Sequence, residues 1–412
     1  MRPIPHRKNK KKLVNDPVYG FIAIPDDLIF DIIQHPYFQR LRRISQLGLT
    51  NLVYPGALHT RFHHVLGAMH LMNTAINTIR RKGHEVTSEE KRGALIAILL
   101  HDIGHGPFSH TLEHDIVNKI SHEDISAFFI ERLSKEFDGK LDVALQIFKN
   151  EYPKPFLHQL VSSQLDMDRL DYLNRDSFYT GVSEGKIGSD RIIEMLNVHE
   201  GNLILEEKGI YSIEKFIVAR RLMYWQVYLH KTVTAAELML IRIIKRAKEL
   251  ALNGNQLFAS PAFNYFLTNN IHKEDFVNNE NVLELFAQLD DYDILGAVKV
   301  WQFHEDKILS FLCQRLINRE LFKIEISKAP FSPERIELEK EIIRLKYDLE
   351  NDEIDYFLYS EVLSNNAYNK KKQRINILMK SGEIVDISKA SDNLTITALS
   401  QSVEKYCLCY PV

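Results

Sequence analysis

From Pro25 to about residue 318, apolar residues recur at three- and four-residue spacing almost without interruption, as in Leu28, Ile29, Ile32 and Ile33. That is the period of helices with one buried face. Between Tyr211 and about Leu252 no glycine or proline intervenes, and the spacing predicts one very long helix there. A strand-like run appears in this region only around Asn202–Glu206. After about residue 319 the pattern changes. Phe322–Ile326 and Asp355–Val362 read as strands, and Pro333–Leu349 as a charged amphipathic helix. Ile375–Met379 and Glu383–Ile387, turned by Lys380, Ser381 and Gly382, read as a hairpin. The expectation is a mainly α chain with a large helical core: a basic arm over residues 1–12, the helical domain over 13–318, and a small α+β appendage over 319–412.

At 412 residues, with 45% hydrophobic and 26% charged side chains, the chain can bury a large core as an ordinary globular protein. A net charge of -3 gives no overall attraction to polyanions, so any contact with nucleic acid or phosphate is local. The run Lys370, Lys371, Lys372 and Arg374 reads either as such a contact or as a solvated surface. The longest apolar stretches, such as Ala94–Leu100, are too short to span a bilayer, and no signal-peptide apolar region follows Arg2–Lys12. A cytoplasmic protein without a membrane partner is expected. Cys313, Cys407 and Cys409 form neither a disulfide framework nor a zinc pattern.

Ten of the seventeen histidines fall between His59 and His122. Histidine is the commonest metal ligand and a proton carrier near neutral pH, so chemistry is to be sought there first. In ILLHDIGHGPFSH an apolar helix ends at His101-Asp102, where Gly104, Gly106 and Pro107 break it. An imidazole and a carboxylate side by side suit a hard-to-intermediate divalent ion, but two ligands do not close a site. His64 in TRFHH and Asp168 in LDMDRLDYLNRD are candidates for the others. Pro107 predicts a new helix on which His110 and Glu113 are neighbours, and His122 opens another after Ser121. A carboxylate that orients an imidazole raises its basicity, so Glu113 with His122 reads as a general-acid dyad. On one helix face Asp168, Asp171, Tyr172, Arg175 and Asp176 would line a polar wall, against the bland reading of an exposed charged stripe. Arg220, Tyr224 and Tyr228 fall at successive four-residue steps, suited to phosphate and nucleoside contact, although Tyr224 reads equally well as core.

The order His64, His101-Asp102, Asp168 resembles the ligand signature of the HD superfamily. Further segments are similar to one branch of it, the deoxynucleoside triphosphate triphosphohydrolases that include bacterial dGTPases and the SAM-and-HD-domain enzymes. They are NDPVYG, FQRLRRISQLG, YPGALHTRFHH, HDIGHGPFSH and DMDRLDYLNRD, within about residues 12–250. No SAM-like domain is expected before them. The pattern Arg-Phe-x-His assigns the ligand to His64 and turns His63 elsewhere. The resemblance implies a divalent metal (Mn, Mg, Fe or Zn) on His64, His101, Asp102 and Asp168. It further implies a deoxynucleoside triphosphate as substrate, with Arg61, Arg169 and Arg220 toward the triphosphate. His105 and His110 would meet the phosphates or the attacking water. Tyr172 and Asp176 would hold the deoxyribose, and Gln46 and Leu47 would lie near the sugar and base. Lys12, Asn15, Gln39 and Arg42 resemble part of a nucleotide-activator pocket at a subunit interface, implying a homo-oligomer, dimer or tetramer. Gln34 stands where an acid would read guanine, so a guanine-specific activator is not implied. His59, His70 and His114 read as structural. The rival readings are an HD phosphohydrolase of another nucleotide or of single-stranded nucleic acid, and a non-catalytic nucleotide sensor or nucleic-acid-binding protein.

Overall fold

The computed structural model describes residues 12–365, 367–369, 374–392, 399 and 401–412, and the chain is mainly helical. The basic arm before Lys12 and the residues Lys370, Lys371 and Lys372 lie outside the described residues. At the centre is the helix Ser88–Leu100, in which every residue from Gly93 to Leu100 is buried. A helix apolar all round must be enclosed on all sides. It starts at a capping box, Glu90 N donating to Thr87 Oγ1 (3.1 Å) and Thr87 N to Glu90 Oε2 (2.7 Å), and it ends at His101. The helix Arg61–Arg81 packs on it and also on the helix Met167–Thr180. Gly67 permits that second contact, because a Cβ there would lie 2.0 Å from Asp171 Oδ1. Gly104 does the same where the turn after His101 meets the helix His122–Glu136: a Cβ would lie 2.2 Å from the His122 carbonyl.

Among the described residues, three small sheets complete the fold. Strands β1 (Leu13–Asp16) and β2 (Gly20–Ala23) form an antiparallel hairpin in register Leu13↔Ala23. Strands β3 (Leu196–His199) and β4 (Asn202–Glu206) pair antiparallel, Leu196 opposite Leu205. Beyond residue 319 come β5 (Lys323–Ser327), β6 (Tyr359–Asn365), β7 (Asn376–Leu378), β8 (Ile384–Asp386) and β9 (Val403–Tyr410). Strand β9 lies between β5 and β6, while β7 adds parallel to β4 through Leu205↔Ile377. The hairpin read at 375–387 therefore extends a sheet that begins in the helical part.

Four local expectations need correction, the first being that Asn202–Glu206 is the one strand-like run of the helical region, since β3 at Leu196–His199 pairs with it. The long helix over Tyr211–Leu252 is broken: Ile210–Met223 runs into a π-helical turn at Tyr224–Tyr228, and a second helix starts at Lys231. His230 is extended (ψ 127°) and its ring accepts from Thr232 N at 3.3 Å, so a histidine caps the second helix without glycine or proline. No α-helix starts at Pro107. Phe108 and Ser109 both sit at φ 55°, where side-chain-bearing residues are strained, and only a 3-10 turn over Ser109–Leu112 precedes the short helix Glu113–Ile116. Phe108 N donating to Asp291 Oδ1 (2.7 Å) and Ser109 Oγ to the Ser45 carbonyl (2.7 Å) hold that geometry. The strand read from Asp355 begins only at Tyr359, after a 3-10 turn at Ile354–Tyr356.

Candidate metal centre and catalytic site

Three helix ends converge on one point. His64 lies in the first turn of Arg61–Arg81, His101 caps Ser88–Leu100 with Asp102 beside it, and Asp168 lies in the first turn of Met167–Thr180. His64 Nε2 and His101 Nε2 stand 3.1 and 3.5 Å from Asp168 Oδ1. They stand 3.6 and 3.3 Å from Asp102 Oδ2 and Oδ1. One donor atom each of His64, His101 and Asp168 lies within 4.8 Å of the others; Asp102 flanks this group while also pairing with Arg61.

The other ring nitrogens fix the tautomers. His101 Nδ1 donates to the Ile98 carbonyl (2.6 Å), which can only accept, so in the neutral ring Nε2 carries the lone pair. His64 Nδ1 donates to Asp171 Oδ2 (2.7 Å). Both Nε2 atoms are buried without a hydrogen-bond partner. Two inward lone pairs facing two carboxylates are an unfavourable arrangement unless a cation joins them, and the outer acceptors are those a metal-ligating histidine uses. Burial disfavours charge on His64, but Asp168 and Asp171 outweigh it and raise its pKa to about 10, so the same carboxylates favour positive charge at Nε2, whether a proton or a metal ion in its place. Burial would raise Asp168 and Asp102; the imidazoles hold Asp168 low, and Arg61 with the imidazoles holds Asp102 low. The residues present fit a divalent ion.

A second group adjoins the first. Glu113 Oε1 accepts from His122 Nδ1 (2.7 Å) and from His122 N (2.8 Å), and Glu113 Oε2 accepts from His110 Nδ1 (2.8 Å). Burial alone would raise the Glu113 carboxyl, but these bonds hold it far below its ordinary range. His105 lies between the groups, stacked on His122 with ring centroids 3.8 Å apart and with Nδ1 3.3 Å from Asp102 Oδ1. Asp102, His105, His122 and Glu113 thus run in an unbroken series. Buried Arg40, absent from the expected site, holds the turn beneath them through the carbonyls of Ile103 (2.6 Å), His105 (2.9 Å) and Leu289 (3.2 Å).

The polar face of Met167–Thr180 is internal rather than an exposed stripe. Asp171, Arg175 and Asp176 are buried, and Arg175 pairs with Asp171 and with Asp16 at 2.7 Å. Asp176 accepts from Tyr228 Oη (2.8 Å) and from His59 Nε2 (2.8 Å), which brings His59 into the wall. Tyr228 meets Tyr224 and Tyr172 at centroid separations of 5.1 and 6.1 Å, and Arg220 lies 5.9 Å from the Tyr224 ring. Arg220 Nη1 donates to Gln164 Oε1 (3.3 Å) and Arg169 Nη1 to the Asp166 carboxylate, while the buried Nε of each has no hydrogen-bond partner. Arg61 donates to Asp102 and to Ser109 Oγ (2.7 Å). Gln46 N is bonded to the His59 carbonyl (3.1 Å), its buried Oε1 has no partner, and Leu47 packs partly buried on the core. His63 caps Thr60 N (3.1 Å), away from the metal group. Away from this wall, Lys12 lies over the Phe30 ring (3.3 Å), Asn15 pairs in register with Phe21, and Arg42 donates to Gln39 Oε1 (2.9 Å) above Phe62.

Residues 61–176 match the HD domain, and residues 187–260 match the HD associated region. A phosphohydrolase from Bacteroides thetaiotaomicron is 55% identical, with a TM-score of 0.94, over 98% of this chain and 100% of that one. The chain belongs to the HD-domain family. An uncharacterized Bacillus subtilis protein, YwfO, is 34% identical over 93% of this chain and 88% of its own length. The Dictyostelium discoideum homolog of the deoxynucleoside triphosphate triphosphohydrolase SAMHD1 is 30% identical over 61% of this chain and 52% of its own. The HD match begins at Arg61 and ends at Asp176, so it spans the metal group, the Glu113–His122 pair and the polar face from Asp168 to Asp176. This HD protein is a hydrolase by family, and its His and Asp groups can hold a metal. Among the described residues no helix is long and apolar enough to cross a membrane.

Proposed function

We propose that this HD protein hydrolyses deoxynucleoside triphosphates to the deoxynucleoside and intact tripolyphosphate. The observation that carries the reading is the pair of buried, unpartnered imidazole nitrogens of His64 and His101 facing Asp102 and Asp168, next to a separate Glu113–His122 pair. The likeness to proteins named as deoxynucleoside triphosphate triphosphohydrolases supports the choice of substrate. His64, His101, Asp102 and Asp168 would hold the divalent metal, whether Mn, Mg, Fe or Zn. A metal there supplies Lewis acidity toward water and a phosphate oxygen.

The side chains supply the rest. Arg169 and Arg220 present unpartnered guanidinium nitrogens that offset triphosphate charge, and Arg61 adds positive charge beside Asp102. Glu113 fixes the His122 ring by its Nδ1–H, so His122 Nε2 delivers the proton to the departing 5′-oxygen. His105 and His110 border that oxygen's path. Asp176 and Tyr228 take the sugar hydroxyl, and Tyr172 with Gln46 and Leu47 closes against C2′, where a ribose hydroxyl would clash. A nucleotide activator at Lys12, Asn15, Gln39 and Arg42 in a dimer or tetramer belongs to the same reading. The test is incubation of purified protein with Mn²⁺ or Mg²⁺ and each of the four deoxynucleoside triphosphates. Tripolyphosphate is the expected product; pyrophosphate or orthophosphate in its place overturns the reading.

A further inference from the structure

We propose that His105, His110 and His122 form a second cation site, selective for imidazole-seeking divalent ions such as Zn²⁺, whose occupancy silences the proton donor. One ring nitrogen from each of the three lies within 4.8 Å of the others. Two imidazoles on one tetrahedral zinc stand about 3.4 Å apart, given Zn–N bonds of about 2.1 Å. Closure needs the His105–His122 stack, with centroids 3.8 Å apart, to open as well as His110, whose side chain is 67% exposed, to swing inward.

Outer-shell order is already built. His110 and His122 each give Nδ1 to Glu113, and the Nδ1 of His105 lies 3.3 Å from Asp102 Oδ1. Nε2 is left as the ligand atom on every ring, and a carboxylate beside each Nδ1 fixes how that ring is turned. His105 Nε2 is buried and has no hydrogen-bond partner. Glu123 Oε1, 3.6 Å from His122 Nε2, can complete four ligands. Mg²⁺ and Mn²⁺ prefer oxygen donors, whereas three imidazoles favour Zn²⁺, Cu²⁺ or Ni²⁺. The metal group of His64, His101, Asp102 and Asp168 is mixed and the second is all imidazole at its core, so the two differ in selectivity.

The inhibitory consequence rests on His122 being the proton donor: a metal on its Nε2 removes the proton-carrying position. The binding itself does not depend on the substrate. Tag-free protein equilibrated with Zn²⁺, dialysed and analysed for metal should hold two equivalents in the wild type. His110→Ala and Asp168→Ala should hold one each, and the double variant none. A wild type that holds one equivalent, or a His110→Ala protein that holds two, overturns the site. In the hydrolysis assay, Zn²⁺ beyond the first equivalent should abolish wild-type turnover; undiminished turnover at two bound equivalents overturns the inhibition. Failure to hydrolyse any deoxynucleoside triphosphate would sink the substrate reading and leave the stoichiometry as an independent result.

Discussion

Asp171 has no place among the ligands, yet it holds His64 Nδ1 at 2.7 Å and bonds Arg175 at 2.9 Å. Loss of such an outer carboxylate typically costs a metal site 10- to 100-fold in affinity. Asp171→Asn should therefore weaken Mn²⁺ binding by about that factor in a direct titration, and unchanged affinity would contradict the positioning role. Glu237 carries a different kind of signal. Burial pushes its carboxyl up to about 7, with only a hydrogen bond from Thr111 opposing, beside Gly48, where a Cβ would lie 3.0 Å from Glu237 Oε1. A carboxyl pKa raised from 4.5 to about 7 gives stability that is complete below pH 4.5 and is lost as pH rises to about 7. Glu237→Gln should escape that loss, gaining on the order of 2–3 kcal/mol over wild type at pH 8 and little at pH 4.5. Urea midpoints at the two pH values check it, and a pH-independent difference would refute it. The HD dipeptide, the Asp168 face and the Glu113–His122 pair were legible because each lies in a short contiguous motif. His59 and Arg40 were not: Asp176 is 117 positions from His59, and the carbonyls that engage Arg40 include that of Leu289, 249 positions away. No local period records such partners.

Between elements, the site depends on how closely the helices approach. The helices Arg61–Arg81 and Met167–Thr180 cross at Gly67, where a Cβ would fall 2.0 Å from Asp171 Oδ1 and 2.1 Å from Arg175 Nη2. Gly67→Ala must displace the buried Asp171 carboxylate and Arg175 guanidinium, and with them the support of His64 Nδ1. A loss of about 1–3 kcal/mol or more in urea unfolding is expected, together with weaker metal binding; a variant within 0.5 kcal/mol of wild type would show that the crossing has slack, a margin typical of neutral surface changes at about ±0.5 kcal/mol. The break at Leu229-His230 marks a limit of helical pattern reading. A π turn and a capping histidine leave no glycine or proline in the sequence, yet they keep Tyr224 beside Arg220 and Tyr228 against Asp176. The 3-10 turn after Pro107 escaped for a related reason. Its left-handed Phe108 and Ser109 are fixed by Asp291 and Ser45, far along the chain.

Across the whole molecule, the helical periodicity predicted the mainly α architecture, because a helix with a buried stripe writes its period into its own sequence. The addition of β7 to β4 is a pairing between distant segments of three residues and five, too short to carry a register signal. The molecule thereby joins the C-terminal hairpin to the helical part that bears the polar wall, with Ile377 opposite Leu205. The account as a whole separates a metal group from a proton donor, and paired measurement of bound Mn²⁺ and turnover in wild type, Asp168→Ala and His122→Ala tests that separation. The wild type should bind the ion and turn over. Asp168→Ala should lose both, and His122→Ala should keep the ion while its turnover falls by about 10²- to 10⁴-fold. Full turnover in His122→Ala, or undiminished Mn²⁺ and turnover in Asp168→Ala, would contradict it.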